Sequence, residues 1–205
     1  MHSSLACDVV ILPSDELAES AIALSEQIGR QHNTFFQLAK NGPFAHASLY
    51  MTQLSVASLD EAREILARIA ATTPALDLFA KGYHQSRGYI DVSYERINAL
   101  DQLQLAVVEA INPLRDGMPH GEQKHLEDAT GSLRDTLQKY GYRGIGEFFR
   151  PHLTLARLTD HAPIDVSDLP EPTGFSGAFT KLGLFEIGRH GACVRKIAEF
   201  ELGKE

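Results

Sequence analysis

Arg150-Pro151-His152-Leu153-Thr154-Leu155-Ala156-Arg157 decides how this chain is read. A proline is tolerated where a strand begins, because its missing N–H lies outside the ladder. Pro151 therefore opens a strand over 152–158. Side chains at i and i+2 of a strand leave from one face, so His152 and Thr154 stand side by side. A second segment repeats the form: His46-Ala47-Ser48-Leu49 lies in a stretch, 45–54, that alternates small or apolar residues with polar ones as a half-buried strand does. Both read His-x-Ser/Thr-Leu. Composition alone predicts about 0.1 such matches, and three occur. The third, His2-Ser3-Ser4-Leu5, sits at a terminus that nothing holds in place. The pattern is weak by itself. Strand context and a separation of about half the chain single out the other two.

Working outward, residues 7–12 are apolar and end at Pro13, as a buried strand does. Ser14 caps a helix to about Gly29, with Asp15 and Glu16 at its positive end and Leu17, Ala21, Leu24 and Ile28 on one face. Asn41-Gly42-Pro43 is a turn. Ser58-x-x-Glu61 has the form of a capping box for a helix ending near Thr73-Pro74. Residues 76–83 and 88–94 read as strands joined through Ser86-Arg87-Gly88. A helix over 98–111 presents Leu100, Leu103, Val107 and Ile111. Residues 116–150 are polar, with a helix expected over 122–139 and a loop holding Gly141, Gly144 and Gly146, and they read as a helical insertion beside a single domain spanning 1–205. Strands at about 178–187 and 192–202 close the chain. This order predicts an α+β fold, helices packed on antiparallel sheets, rather than a doubly wound parallel sheet.

With 205 residues, 43 % hydrophobic and 22 % charged, the chain has the composition of a folded domain. Its 19 Lys and Arg against 27 Asp and Glu give a net charge of −8. That argues against a partner held through many phosphates, long nucleic acid above all, but one cleft can still be locally positive for a small phosphorylated ligand. Cys7 and Cys193 form no zinc-ribbon spacing and are expected to be reduced. The first residues lack a basic region before their apolar run, and no apolar stretch is long enough to span a membrane, so a cytoplasmic location is expected. His120 and His125 do not have the spacing of two ligands on one helix face. No phosphate-binding loop of the G-x-x-x-x-G-K-[S/T] or G-x-G-x-x-G type occurs, nor a G-x-S-x-G elbow. Neither a metal nor a cofactor is expected.

The two histidine segments resemble those of the 2H phosphoesterase superfamily, which is named for paired His-x-Thr/Ser-hydrophobic motifs and includes the 2′-5′ RNA ligases and cyclic nucleotide phosphodiesterases. The segment at 150–157 is similar to the family's Pro-His-x-Thr-Leu-Ala-Arg form. The first departs from it, with Ser48 in place of Thr and Ala45 in place of a frequent Pro. Serine keeps the hydroxyl and loses the methyl that stiffens χ1. The resemblance implies a bilobal, pseudo-twofold fold with a central cleft holding both motifs, and metal-independent hydrolysis of a cyclic phosphodiester such as a 2′,3′-cyclic nucleotide or an RNA end. The chemistry of the residues agrees. A base must deprotonate water and an acid must protonate the leaving oxygen, and an imidazole can do either near neutral pH. His46 and His152 are thus the candidate base and acid, in an order the sequence leaves open. Ser48 and Thr154 are the candidate phosphate contacts. Tyr50 follows on the same face by the i+2 rule and is a candidate substrate contact. Arg157 falls on the face opposite His152 and reads as structural; Arg143 and Arg150 lie where they can meet a phosphate. The alternative is a protein that binds a nucleotide or phosphorylated metabolite in the same cleft without turning it over.

Overall fold

The computed structural model describes residues 4–117 and 126–203. Among these, the elements run β1 (Ser4–Pro13), α1 (Asp15–Gln31), β2 (Thr34–Gln37), β3 (Ala47–Ser55), α2 (Leu59–Thr72), β4 (Leu76–Leu78), β5 (Ala80–Ser86), β6 (Tyr89–Tyr94), α3 (Asn98–Ile111), α4 (Gly131–Tyr140), β7 (His152–Leu158), β8 (Gly177–Ile187) and β9 (Cys193–Glu201). Every strand pairing is antiparallel. The order across the sheet is β4-β8-β1-β3-β7-β6-β5, with β9 added to β8 and β2 to β7.

This sheet is two half-sheets. β1 runs along β3 from Ser4↔Ser55 to Ile11↔Ala47, and β6 runs along β7 from Tyr89↔Arg157 to Ser93↔His152. Between β3 and β7 the register holds only Ala47↔Leu153. The helices cover the outer apolar faces. α1 buries Leu17, Ala21, Leu24 and Ile28, the stripe its periodicity predicts, and α3 buries Leu100, Leu103, Val107 and Ile111. Each such side chain removed from water contributes roughly 1.5–3 kcal/mol, so the two stripes fix both helices on the sheet. The expected α+β class and two-lobed arrangement are the ones the chain adopts.

Several local expectations change. Ser14 caps α1, its Oγ accepting from the Leu17 N–H at 3.4 Å. Ser58 does not cap α2. A 3₁₀ turn at Val56–Ser58 places Ser58 already in helical geometry, and Ser55 Oγ accepts from the Ser58 N–H instead. The single strand expected over 76–83 divides at exposed Phe79, because β4 pairs with β8 in one half-sheet and β5 with β6 in the other. β2 is too short for periodicity to reveal in the sequence. The β5–β6 hairpin turns on Arg87 (φ 52°) and Gly88 (φ 83°), where left-handed backbone is needed at both central positions. α4 begins only at Gly131, after a turn and extended residues at 126–130. Its expected start at 122, His120, His125, His2 and Ser3 lie outside the described residues. The chain from 131 to 149 contributes Ile145 and Phe149 to the main core, and α4 buries Leu137. No described helix is long and apolar enough to cross a membrane.

Candidate active site

Ala47 and Leu153, the pair that joins the half-sheets, point into the core and are almost fully buried. Side chains alternate across a strand, so their neighbours point the other way. His46 and Ser48 from one lobe, His152 and Thr154 from the other, line a cleft of about 900 Å³. The four candidates named from sequence are thereby brought to one place.

The two lobes repeat each other in polar detail. His46 Nδ1–H donates to the Phe44 carbonyl at 2.8 Å, and His152 Nδ1–H donates to the Arg150 carbonyl at 2.6 Å. A carbonyl can only accept, so each ring carries its proton on Nδ1 when neutral and keeps Nε2 as its basic atom. Ser48 Oγ donates to Asp8 Oδ2 at 2.6 Å; Thr154 Oγ1 donates to Asp91 Oδ1 at 2.7 Å. Asp8 comes from β1, the neighbour of β3, and Asp91 from β6, the neighbour of β7. Neither was named from sequence, yet each is visible there as a lone carboxylate inside an apolar strand, Cys7-Asp8-Val9-Val10 and Ile90-Asp91-Val92.

These contacts depend on a register shift that also repeats. On β3, Ser48 faces Val10 and Tyr50 faces Val9, which leaves Leu49 unpaired; on β7, Thr154 faces Asp91 and Ala156 faces Ile90, which leaves Leu155 unpaired. An extra residue in one strand reverses the alternation beyond it. Tyr50 therefore falls on the helix side, fully buried, its hydroxyl within reach of Asn112 Oδ1 at 2.8 Å and the Tyr140 carbonyl at 2.9 Å. It is not a cleft residue, and its place is taken by Met51. For the same reason Arg157 lies on the face of Thr154. Its guanidinium stacks on the Tyr89 ring, 4.5 Å from the centroid, and donates to His190 Nδ1 at 2.8 Å. Tyr89 and His190 line the cleft, as do Arg87, Arg143 and Arg150. An acidic chain thus holds a locally basic pocket.

Burial separates the titrating groups. It pushes His46 down to about 4, against the Phe44 hydrogen bond and with help from the charge of nearby His152. It pushes Asp8 up to about 7, against the hydrogen bond from Ser48. With His46 held neutral, the 3.8 Å approach of its Nε2 to Asp8 Oδ2 is not an ion pair at neutral pH. A hydroxyl has one proton. While Asp8 is ionised, Ser48 spends that proton on the carboxylate and shows the cleft only lone pairs; once Asp8 is protonated, its own O–H can donate to Ser48 Oγ and release the serine proton toward a ligand.

No protein-family model and no curated protein matches the chain in sequence. Solved structures match it along its whole length. LigT from E. coli in complex with 3′-AMP superposes with a TM-score of 0.60 and 16 % identity over 98 % of this chain and 100 % of that one. TT0787 of Thermus thermophilus gives 0.56 and 16 %, again over 98 % and 100 %, and a structure described as a phosphoesterase gives 0.57 and 14 % over the same shares. LigT has also been crystallised with NADP⁺, phosphate and ATP. The chain shares the fold of LigT and of these other structures, as the two histidine motifs lead one to expect.

Proposed function

We propose that the protein hydrolyses small cyclic phosphodiesters without a metal, with 2′,3′-cyclic nucleotides or the cyclic phosphate of an RNA end as the substrate class. The observation that carries this reading is the paired imidazoles: both have Nδ1–H tied to a carbonyl two residues upstream, both flank the one bridge between the lobes, and both line one cleft. His46, held neutral by burial, takes the proton of the attacking water on Nε2. The water oxygen bonds to phosphorus in line with the scissile bond, and His152, the more open of the two, protonates the sugar oxygen that leaves. Asp8, 3.8 Å from Nε2, steadies the imidazolium that forms on His46. Both rings regain their starting states through solvent.

The non-bridging oxygens gather charge in the transition state and meet the arginines of the cleft together with the hydroxyls of Ser48 and Thr154, each turning its proton from its aspartate to the phosphate. Its aromatic lining, Phe36, Tyr89 and Phe148 among others, offers faces on which a nucleobase can stack. That LigT accommodates 3′-AMP, ATP and NADP⁺ supports a ligand of nucleotide size.

The test is phosphorus NMR of 2′,3′-cyclic AMP with EDTA-treated protein beside folded His46→Ala and His152→Ala. Wild type is expected to give one monophosphate, and each variant to lose about 10²–10⁴-fold in rate. Binding without turnover would favour the non-catalytic reading. Turnover that survives loss of either histidine would refute the assignment.

A further inference from the structure

One side chain under the cleft has no part in the proposed hydrolysis. Cys193, at the start of β9, is completely buried, and its Sγ lies 3.6 Å from His46 Nε2. Asp8 is equally buried, with Oδ2 3.8 Å from the same nitrogen. One ligand atom from each of the three lies within 4.8 Å of the others. Asp8 Oδ1 is buried and accepts no hydrogen bond among the described residues. A carboxylate in that position lacks the partner that burial normally demands.

We propose that Asp8, His46 and Cys193 form a site for Zn²⁺ or a similar thiophilic divalent cation, and that its occupancy switches the cleft off by taking His46 Nε2 as a ligand. The loss of activity rests on the function proposed above; the binding does not.

The donor set is the first argument. Thiolate, imidazole and carboxylate are the ordinary ligands of zinc, at about 2.3, 2.0 and 2.0 Å. Tetrahedral angles at those lengths need an N–S edge of about 3.5 Å and an N–O edge of about 3.3 Å. The protein already provides 3.6 and 3.8 Å on these two edges; the third, from Cys193 Sγ to the Asp8 carboxylate, lies within 4.8 Å and has to close toward about 3.5 Å when a cation binds. The surrounding contacts are those of a metal centre. Nδ1–H of His46 is donated to the Phe44 carbonyl, which fixes Nε2 as the coordinating atom, and Ser48 orients the Asp8 carboxylate. Charge is the third argument. A dication between a thiolate and a carboxylate leaves a neutral buried cluster, with the thiol proton passing to solvent as the S–metal bond forms.

Cobalt(II) is the probe. Titrated into chelator-treated protein, it is expected to bind one to one with tetrahedral visible bands and a thiolate-to-cobalt charge-transfer band, both discharged by Zn²⁺. Cys193→Ala should lose the charge-transfer band and weaken binding on the order of 100-fold or more. Cys7 is the other cysteine of the chain, so Cys7→Ala, keeping the full band, identifies the thiol even if the Cys193 variant folds poorly. Zn²⁺ should inhibit turnover by wild type, reversibly with EDTA, and should leave Cys193→Ala at that variant's own metal-free rate. Absence of the band in wild type, or its loss in Cys7→Ala but not Cys193→Ala, overturns the site. A cobalt band with no turnover of any cyclic phosphate would leave the site standing and remove the proposed activity instead.

Discussion

Tyr50→Phe separates the two faces of β3. The sequence puts Tyr50 in the cleft, while the register puts it in the core with its hydroxyl between Asn112 Oδ1 and the Tyr140 carbonyl. Removing the hydroxyl leaves the ring and its packing intact. Asn112 Oδ1 keeps a long bond from Arg115 Nε at 3.4 Å, whereas the Tyr140 carbonyl loses this donor at the end of α4. A buried acceptor left without its partner costs about 1–3 kcal/mol. For a chain of this size about 2 kcal/mol lowers Tm by about 4–8 °C. Urea and thermal unfolding, with turnover of a cyclic nucleotide measured alongside, make the check. Stability should fall by that amount while kcat changes less than about twofold. KM is expected to rise a few-fold at most, because Tyr142, Arg143 and Gly144 follow the same anchor into the cleft. A tenfold loss of kcat with unchanged unfolding would return Tyr50 to the cleft and refute the register argument.

Other outcomes follow from the same geometry. Thr154→Val keeps shape and removes the hydroxyl, and it should lower kcat by about 10²-fold with little change in KM; unchanged kcat would take Thr154 out of the transition state. Asp8 tests linkage in chelator-treated protein. Its folded value of about 7 lies above its ordinary 3.8, so the stability it allows is complete below about pH 4 and falls as pH rises through 7, by about 4 kcal/mol in all. Asp8→Asn should therefore gain on wild type between about pH 4 and 7 and level off above, and parallel Tm curves would rule the shift out. With His46 as the base, pushed down to about 4 by burial, the ascending limb of the pH–rate profile should lie near pH 4, and a limb that rises between pH 5 and 9 would count against His46 in that role. Gly183→Ala places a Cβ 2.5 Å from Phe185 Cε2 and 3.4 Å from Val10 Cγ2. Overpacking there should cost about 1–3 kcal/mol in urea unfolding.

The duplicated polar network explains why the two lobes tolerate different residues at the second motif position. What each lobe needs is a hydroxyl to span the gap to a carboxylate on the next strand, and both Ser48 and Thr154 provide one. The lobes differ in what surrounds the carboxylate. Asp8 is sealed beneath His46 and beside Cys193, while Asp91 lies near the exposed His84, 3.7 Å away, and lines the cleft. That asymmetry is the physical ground for giving the two histidines different roles.

By itself the sequence determined what depends on near neighbours in the chain. The stripes of α1 and α3, the strand at 152–158, the hairpin at Arg87-Gly88 and the His-x-Ser/Thr pairs all rest on spacings of two to four residues, and all appear where the sequence placed them. The tertiary structure decided whatever depends on which strand lies beside which. The unpaired Leu49 and Leu155 turned Tyr50 inward and Arg157 toward the cleft wall, and no local spacing encodes a register set by β1 and β6. Asp8 and Asp91 could be seen as interruptions of apolar strands, but only pairing shows that each lies under a hydroxyl of the motif. Cys193 reaches His46 across 147 positions of chain. A strand's alternation is local physics; the partner that gives a buried carboxylate or thiol its meaning arrives only when the sheet closes.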